Sequence, residues 1–210
     1  MMKDPKLFLV SAPSGAGKSS LIDAVLTSAK QSDLALELSI SYTTRSPRKG
    51  ESNGNQYFFI SEEDFINKKN SNFFLEHAKV HDNWYGTSVD FVESKLSSGI
   101  NLILEIDVQG FRQINELDIK YESIFILPPS IYSLEERIKS RGDEDLEAIN
   151  LRLKNAKDEL AYANEYKHII INDLFDDAER ELFKIIAQEK LSNRQKTEEV
   201  QQFLAQLLSY

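Results

Sequence analysis

The chain has 210 residues, no cysteine and a formal charge of −9, from 25 Lys and Arg against 34 Asp and Glu. Disulfides, thiolate metal sites and cysteine nucleophiles are thereby excluded, and the acidic balance argues against a general nucleic-acid binder, which needs surplus Lys and Arg. No apolar run approaches the roughly 20 residues of a membrane-spanning helix. The opening "MMKDPKLFLV", interrupted by Asp and Pro, does not read as a signal peptide. One cytoplasmic domain with no membrane partner is the expectation.

Strands are predicted at 6–12 ("KLFLVSA"), 34–41, 57–61, 101–107, 122–128 and 167–173, and helices at 18–30, 62–69, 89–98, 130–141, 146–164 and 175–191. Runs such as "LILEI" and "IFIL" are apolar on both faces, as expected of parallel strands covered by helices. The alternation predicts an α/β fold with a mostly parallel central sheet. Two segments interrupt it. Residues 42–88 are polar, turn-rich and dense in Tyr and Phe, which suggests a small inserted lobe. Residues 140–147, "SRGDEDLE", read as a mobile charged loop between helices. At the end of the chain, Val200, Phe203, Leu204, Leu207 and Leu208 share one helical face. That face serves either its own domain or a homo-oligomeric contact between subunits.

The first predicted strand runs directly into "SAPSGAGKSSL". Ala12-Pro13-Ser14-Gly15-Ala16-Gly17-Lys18-Ser19 fits a P-loop in which Ala replaces the first Gly. Gly15 and Gly17 let backbone N–H groups turn inward around a polyphosphate, and the following helix N-terminus adds its partial positive charge. Lys18 can reach the β- and γ-phosphates, and the Ser19 hydroxyl, with Ser20 beside it, can ligate Mg²⁺. Strand, tight loop, "GKS" and helix in register distinguish this from a plain Gly-rich turn. No "NKxD" base-reading motif of a switch GTPase is present.

An enzyme passing phosphate to a phosphorylated acceptor needs a second anion site. "SYTTRSPRKGE" carries Arg45 and Arg48 around a Pro, with Lys49 next, and Arg binds phosphate in a bidentate fork. Tyr57 and Tyr85 add hydroxyl donors. Two loop arginines alone are more often solvated surface. Further on, Arg137 and Arg141 stand four apart on a predicted helix, where like charges repel unless an anion lies between them. Arg152 follows the acidic loop and could close over the site. Asp107 ends an apolar strand, a common place for ligand-facing carboxylates in open α/β sheets, where it can face Mg²⁺ and the acceptor.

Taken in order, "SAPSGAGKSSL", "SISYTTRSPRKGESNGNQYFFIS", "FLEHAKVHDNWYGTS", "LILEIDVQG", "IFILPPS", "RIKSRGDED", "INLRL" and "ELAYANEYKHIIIND" resemble the guanylate kinases, over residues 6 to 190. The resemblance implies a P-loop NTPase-type three-layer α/β/α fold. It divides the chain into a core (1–41, 89–139 and 153–192), a GMP-binding lobe (42–88), a mobile lid (140–152) and a C-terminal helix (193–210). It implies transfer of the γ-phosphoryl of ATP to GMP with Mg²⁺. The acceptor phosphate maps onto Arg45, Arg48, Tyr57 and Tyr85. The guanine maps onto Ser41 and Glu76, with Thr87, Glu105 and Asp107 beside them. Arg137, Arg141 and Arg152 map onto the lid that contacts ATP and the moving phosphoryl, with Lys18 and Arg45 as further catalytic cations, and Asn172 onto a residue near the ATP base. Ser19 and Asp107 are the expected metal contacts. Base chemistry agrees: guanine presents N1–H and N2–H₂ donors to a carboxylate and an O6 acceptor to a hydroxyl, whereas adenine offers the opposite edge.

Three rivals are weighed against this. A guanylate-kinase-like peptide-binding module is opposed by the intact Gly17-Lys18-Ser19 and by Arg45, Arg48 and Arg137. A kinase of another phosphorylated sugar or nucleotide is opposed by Ser41, Glu76 and "YGTS". An ATPase handling DNA or RNA is opposed by the acidic balance.

Overall fold

The computed structural model describes residues 4–80, 82–139, 146–189 and 198–209. The described elements alternate as the sequence predicts, in a mixed α/β arrangement. One sheet has the order β2-β7-β1-β8-β9, from Leu36–Leu38, Asn101–Glu105, Leu7–Ser11, Tyr121–Leu127 and His168–Ile171. The β2–β7 and β8–β9 pairings are parallel. Leu102, Ile103 and Leu104 are each fully buried, so this strand is covered on both faces. Each apolar side chain withdrawn from water in this way contributes about 1.5–3 kcal/mol. Among the described residues no helix is long and apolar enough to cross a membrane.

The chain divides into two units. The first comprises Met1–Leu9 and Ala35–Tyr121. Here the predicted strand 34–41 resolves into two short pieces in different sheets. After β2, β3 (Ser41–Thr43) enters a four-stranded sheet of order β4-β3-β6-β5, with β4 (Tyr57–Phe59), β5 (Phe74–Val80) and β6 (Asn83–Ser88). β3 runs parallel to β4 and antiparallel to β6. The helix α2 (Glu62–Asn70) is capped by Ser61, whose Oγ accepts from the Asp64 N–H at 3.0 Å. Phe65 on this helix stacks on Phe74 (ring centroids 4.4 Å apart) and on Trp84 (5.6 Å), so aromatic packing supplies much of this sheet's core. α3 (Val89–Ser97) is capped by Ser88. A helix not foreseen in the sequence, α4 (Val108–Asn115), follows β7 with Asp107 as its N-cap. Its eight residues include a Gly, which hides a short helix from a propensity reading.

The second unit comprises Val10–Leu34 and Glu122–Tyr210. It holds α1 (Lys18–Gln31), α5 (Ile131–Lys139), α6 (Leu146–Leu160), α7 (Phe175–Ile186) and α8 (Glu198–Leu208). The Ser28 hydroxyl of α1 donates to Glu179 of α7 at 2.8 Å. On α8, Val200, Leu204 and Leu207 are buried within the chain, while Leu208 is exposed. The apolar face read from the sequence therefore serves largely the helix's own unit. Gln201 reaches back to Asn164, its amide donating at 2.9 Å.

Candidate active site

The residues expected to hold the phosphoryl donor lie in the second unit. β1 ends at Ser11, the chain turns through the loop, and α1 begins at Lys18. Gly15 (φ 92°) and Gly17 (φ 90°) both occupy the left-handed region that side chains disfavour. Gly17 is the N-cap of α1 and offers no capping side chain, so the positive end of the helix faces out of the loop. Two residues distant in sequence brace the cradle. The buried Asn172, whose N–H continues the β8–β9 ladder by donating to Leu127 O at 2.9 Å, donates its amide Nδ2 to Ala16 O at 2.7 Å. Arg137 of α5 approaches Gly15 O, with Nη1 at 3.4 Å. A Cβ at position 17 would lie 2.5 Å from Asn172 Nδ2, so this glycine is required by space as well as by φ. Lys18 is half-buried at the mouth, and Ser19 and Ser20 are exposed on the first turn.

The residues expected to hold the acceptor lie in the first unit. Glu76, on β5, is buried, and its Oε1 accepts from Thr87 Oγ1 on β6 at 2.7 Å. The two stand opposite each other in the antiparallel register. With Glu76 ionised, Thr87 spends its one hydrogen on the carboxylate, so the 3.4 Å contact with Ser41 Oγ on β3 has Ser41 as donor. Burial pushes the Glu76 carboxyl up to about 7; the Thr87 hydrogen bond opposes that shift, and the Asp107 charge adds to it. Beside this relay, Arg45 lies over the Tyr57 ring at 5.4 Å, and the Tyr57 and Tyr85 rings are 5.8 Å apart. Arg45 is ion-paired to Glu51 (2.9 Å), whose other oxygen accepts the Arg48 N–H at 2.7 Å. Hydrogen bonds to Glu51 and Tyr85 hold the guanidinium charged. Burial, with the Glu105 charge as the second cause, raises the Tyr57 hydroxyl above its ordinary value and keeps it a donor.

A glycine-bearing strand–loop–helix turn and a buried carboxylate thus occur in one chain in the order expected of one kinase family. A sequence model of that family, described as guanylate kinase, matches residues 4–189. The chain belongs to the guanylate kinase family. A guanylate kinase of Hahella chejuensis is 47% identical over 186 residues, covering 89% of this chain and 88% of the relative. That of Mannheimia succiniciproducens is 45% identical over 209 residues, covering 99% and 100%. The crystal structure of guanylate kinase from Anaplasma phagocytophilum superposes with a TM-score of 0.69 at 25% identity, covering 99% of this chain and 98% of that one.

Within this family fold, each sequence-predicted group lands differently. Ser41, Glu76 and Thr87 form one hydrogen-bonded set; Arg45 is hydrogen-bonded to Tyr85 and lies over the Tyr57 ring, which packs on Tyr85. Arg48 is exposed, its backbone tied to Glu51. Glu105 is half-buried at the end of β7. Asp107 uses Oδ1 to accept the Gly110 N–H (2.9 Å) and Oδ2 to accept the Gln109 amide (3.1 Å). In the donor half, Arg137 and Asn172 meet the loop, and Arg152 sits half-buried on α6. Arg141, and with it residues 140–145 of the expected lid, lie outside the described residues.

Sequence reading missed three groups. Glu51 is the counter-charge of the acceptor loop, its signal being an acidic residue closing "RSPRKGE". Gln113 pairs with the β5 backbone, accepting the His77 N–H at 3.1 Å and donating to His77 O at 2.6 Å. Gly110 lies against Glu76, and its only signal was its place at the end of the "LILEIDVQG" stretch. Among the described residues no three His, Cys, Asp or Glu cluster as a metal cage.

Proposed function

We propose that the chain transfers the γ-phosphoryl of ATP to GMP, giving ADP and GDP, as a cytoplasmic enzyme of purine nucleotide metabolism. Family membership supports the reaction class. The observation that carries the acceptor's identity is the buried Glu76 carboxylate, which accepts from Thr87 and retains acceptor capacity for a partner with two N–H donors. The guanine N1–H and N2–H₂ supply those donors, and the Ser41 hydroxyl, turning its one hydrogen from Thr87, donates to O6. Adenine would leave the buried carboxylate with no partner beyond Thr87, at a cost of about 1–3 kcal/mol or more.

Arg45, Arg48, Tyr57 and Tyr85 take the GMP phosphate in this reading. Arg45 exchanges its Glu51 partner for, or shares it with, the phosphate oxygens. The loop N–H groups from Gly15 to Ser19 and the Lys18 ammonium take the β- and γ-phosphates. The Ser19 hydroxyl, with Asp107 toward the acceptor, would hold Mg²⁺ bound with ATP, which would neutralise charge on the transferring group. Arg137, Arg141 and Arg152 spread further positive charge over the equatorial oxygens. No general base is required, because a GMP phosphate oxygen is already an anionic nucleophile. Asn172 keeps the loop carbonyl of Ala16 turned away from the phosphates, so the loop presents N–H groups to them.

A coupled ADP-release assay with ATP, Mg²⁺ and each of GMP, AMP, UMP and CMP tests the proposal. Turnover confined to GMP is expected. Comparable turnover with AMP, or none with any nucleotide despite ATP binding, would overturn it.

A further inference from the structure

Glycine inside a helix costs stability relative to alanine, because it holds the chain less firmly and buries nothing. Gly110 stands in the first turn of α4, its φ outside the left-handed region, so its backbone would accept alanine without strain. Its neighbour explains it. A Cβ at position 110 would come to 2.5 Å from Glu76 Oε2, closer than such atoms approach, and to a tight 3.2 Å from its Cδ. The Glu76 carboxylate is therefore laid directly on the α4 backbone, in the space a side chain would fill. On the same helix face, Asp107 takes the Gly110 N–H, and Gln113 clamps the β5 backbone at His77, the residue after Glu76. Residues 107, 110 and 113 recur at intervals of three, so one stripe of α4 holds both the reader's backbone and its carboxylate.

We propose that Gly110 is a positioning residue for base selection: the absence of a side chain there is the seat that aims the Glu76 carboxylate at the acceptor's base. This rests on the GMP reading above for its consequence, though the seat itself depends only on the geometry. Thr87 fixes one oxygen from the β6 side and the α4 backbone bounds the other, leaving the carboxylate a single orientation. A methyl at position 110 must displace Oε2 by several tenths of an ångström or more. Misplacement on that scale is enough to cost a positioned group most of its effect.

The test is Gly110→Ala, alone and combined with Glu76→Asp. For Gly110→Ala, KM for GMP is expected to rise about 10- to 100-fold, with KM for ATP and kcat within about twofold. Glu76→Asp withdraws the carboxylate by one methylene, clear of the new methyl. Adding Gly110→Ala to that variant is therefore expected to change KM for GMP by less than about twofold. A wild-type KM in Gly110→Ala, or an equal penalty in the Glu76→Asp background, would overturn the proposal. A second measurement needs no nucleotide: a carbon-13 NMR titration of the Glu76 carboxyl in wild type and Gly110→Ala. Displacement from the buried seat is expected to lower its midpoint, and an unchanged midpoint also overturns the proposal. A moved midpoint in a protein that does not phosphorylate GMP would remove the GMP reading and leave the seat standing.

Discussion

The donor half takes nearly all its groups from residues 11–19 and works through backbone N–H groups, whereas the acceptor half gathers Ser41, Arg45, Tyr57, Glu76, Thr87 and Tyr85 from four strands and a loop. Each half lies within one unit. A backbone cradle depends on φ values and on what leans against it, here Asn172 and Arg137. It is insensitive to pH near neutrality and tolerant of most side-chain changes except at its glycines. A side-chain reader depends on burial, which sharpens discrimination and brings a titration and a stability cost with it. On the proposed reading, the half that takes the polyphosphate is the robust one, and the half that selects the base is the one under electrostatic stress.

Breaking the cradle is expected to have the largest effect. Gly17→Ala forces a methyl into Asn172 Nδ2 and a left-handed φ onto alanine. It should reduce kcat/KM for ATP by about 100-fold or more, while calorimetry shows GMP binding little changed. Equal losses in both substrates would mean that the halves are not separable.

Next comes Glu76→Gln, which retains an acceptor for Thr87 but presents N–H groups to the guanine donors. A loss of about 10- to 100-fold in kcat/KM for GMP is expected, with ATP unaffected. The same variant should be the more stable protein. The folded carboxyl titrates at about 7 against 4.5 for the free group. Its contribution is therefore fully present below pH 4.5 and is lost as pH rises through about 7. At pH 8, urea unfolding should find Glu76→Gln more stable by about 2–3 kcal/mol than its difference from wild type at pH 4.5 would give. No pH dependence in that difference would show the carboxylate to be less stressed than its burial implies.

A smaller effect comes from pH alone. The guanine donors need the ionised carboxylate, so KM for GMP should rise about tenfold from pH 8 to pH 6 as the competent fraction falls. KM for ATP should stay flat over that range. Parallel profiles for both substrates would place the titration elsewhere. The smallest is Ser61→Ala, which removes the α2 cap and should lower stability by about 1 kcal/mol with both KM values unchanged. A KM shift there would mean the aromatic core under α2 reaches the reader.

Legibility followed the same division. Gly15, Gly17, Lys18 and Ser19 could be read directly, because strand, loop and helix are contiguous and the motif's spacing is its geometry. Strands such as β7 and β8 were legible from their two-sided apolar runs. The predicted strand 34–41 was divided between two sheets, because a continuous β-like run does not reveal where the chain leaves one sheet for another. α4 was invisible because its short "VQGFRQIN" carries a glycine whose value lies in contact with a strand 34 positions earlier. Glu76 by its residue type alone read as an ordinary charge on a strand. Only family resemblance singled it out, and only packing against β6 and α4 showed it to be buried.

The sequence by itself determined the polyphosphate loop, the α/β alternation and the family, since these depend on local spacing and on the order of motifs along the chain. Tertiary structure alone decided that Asn172 braces Ala16, that Glu51 holds Arg45, and that Gly110 makes room for Glu76. Those are contacts between residues whose separation in sequence says nothing of their separation in space, and the burial that shifts the Glu76 carboxyl exists only once the strands and α4 have closed around it.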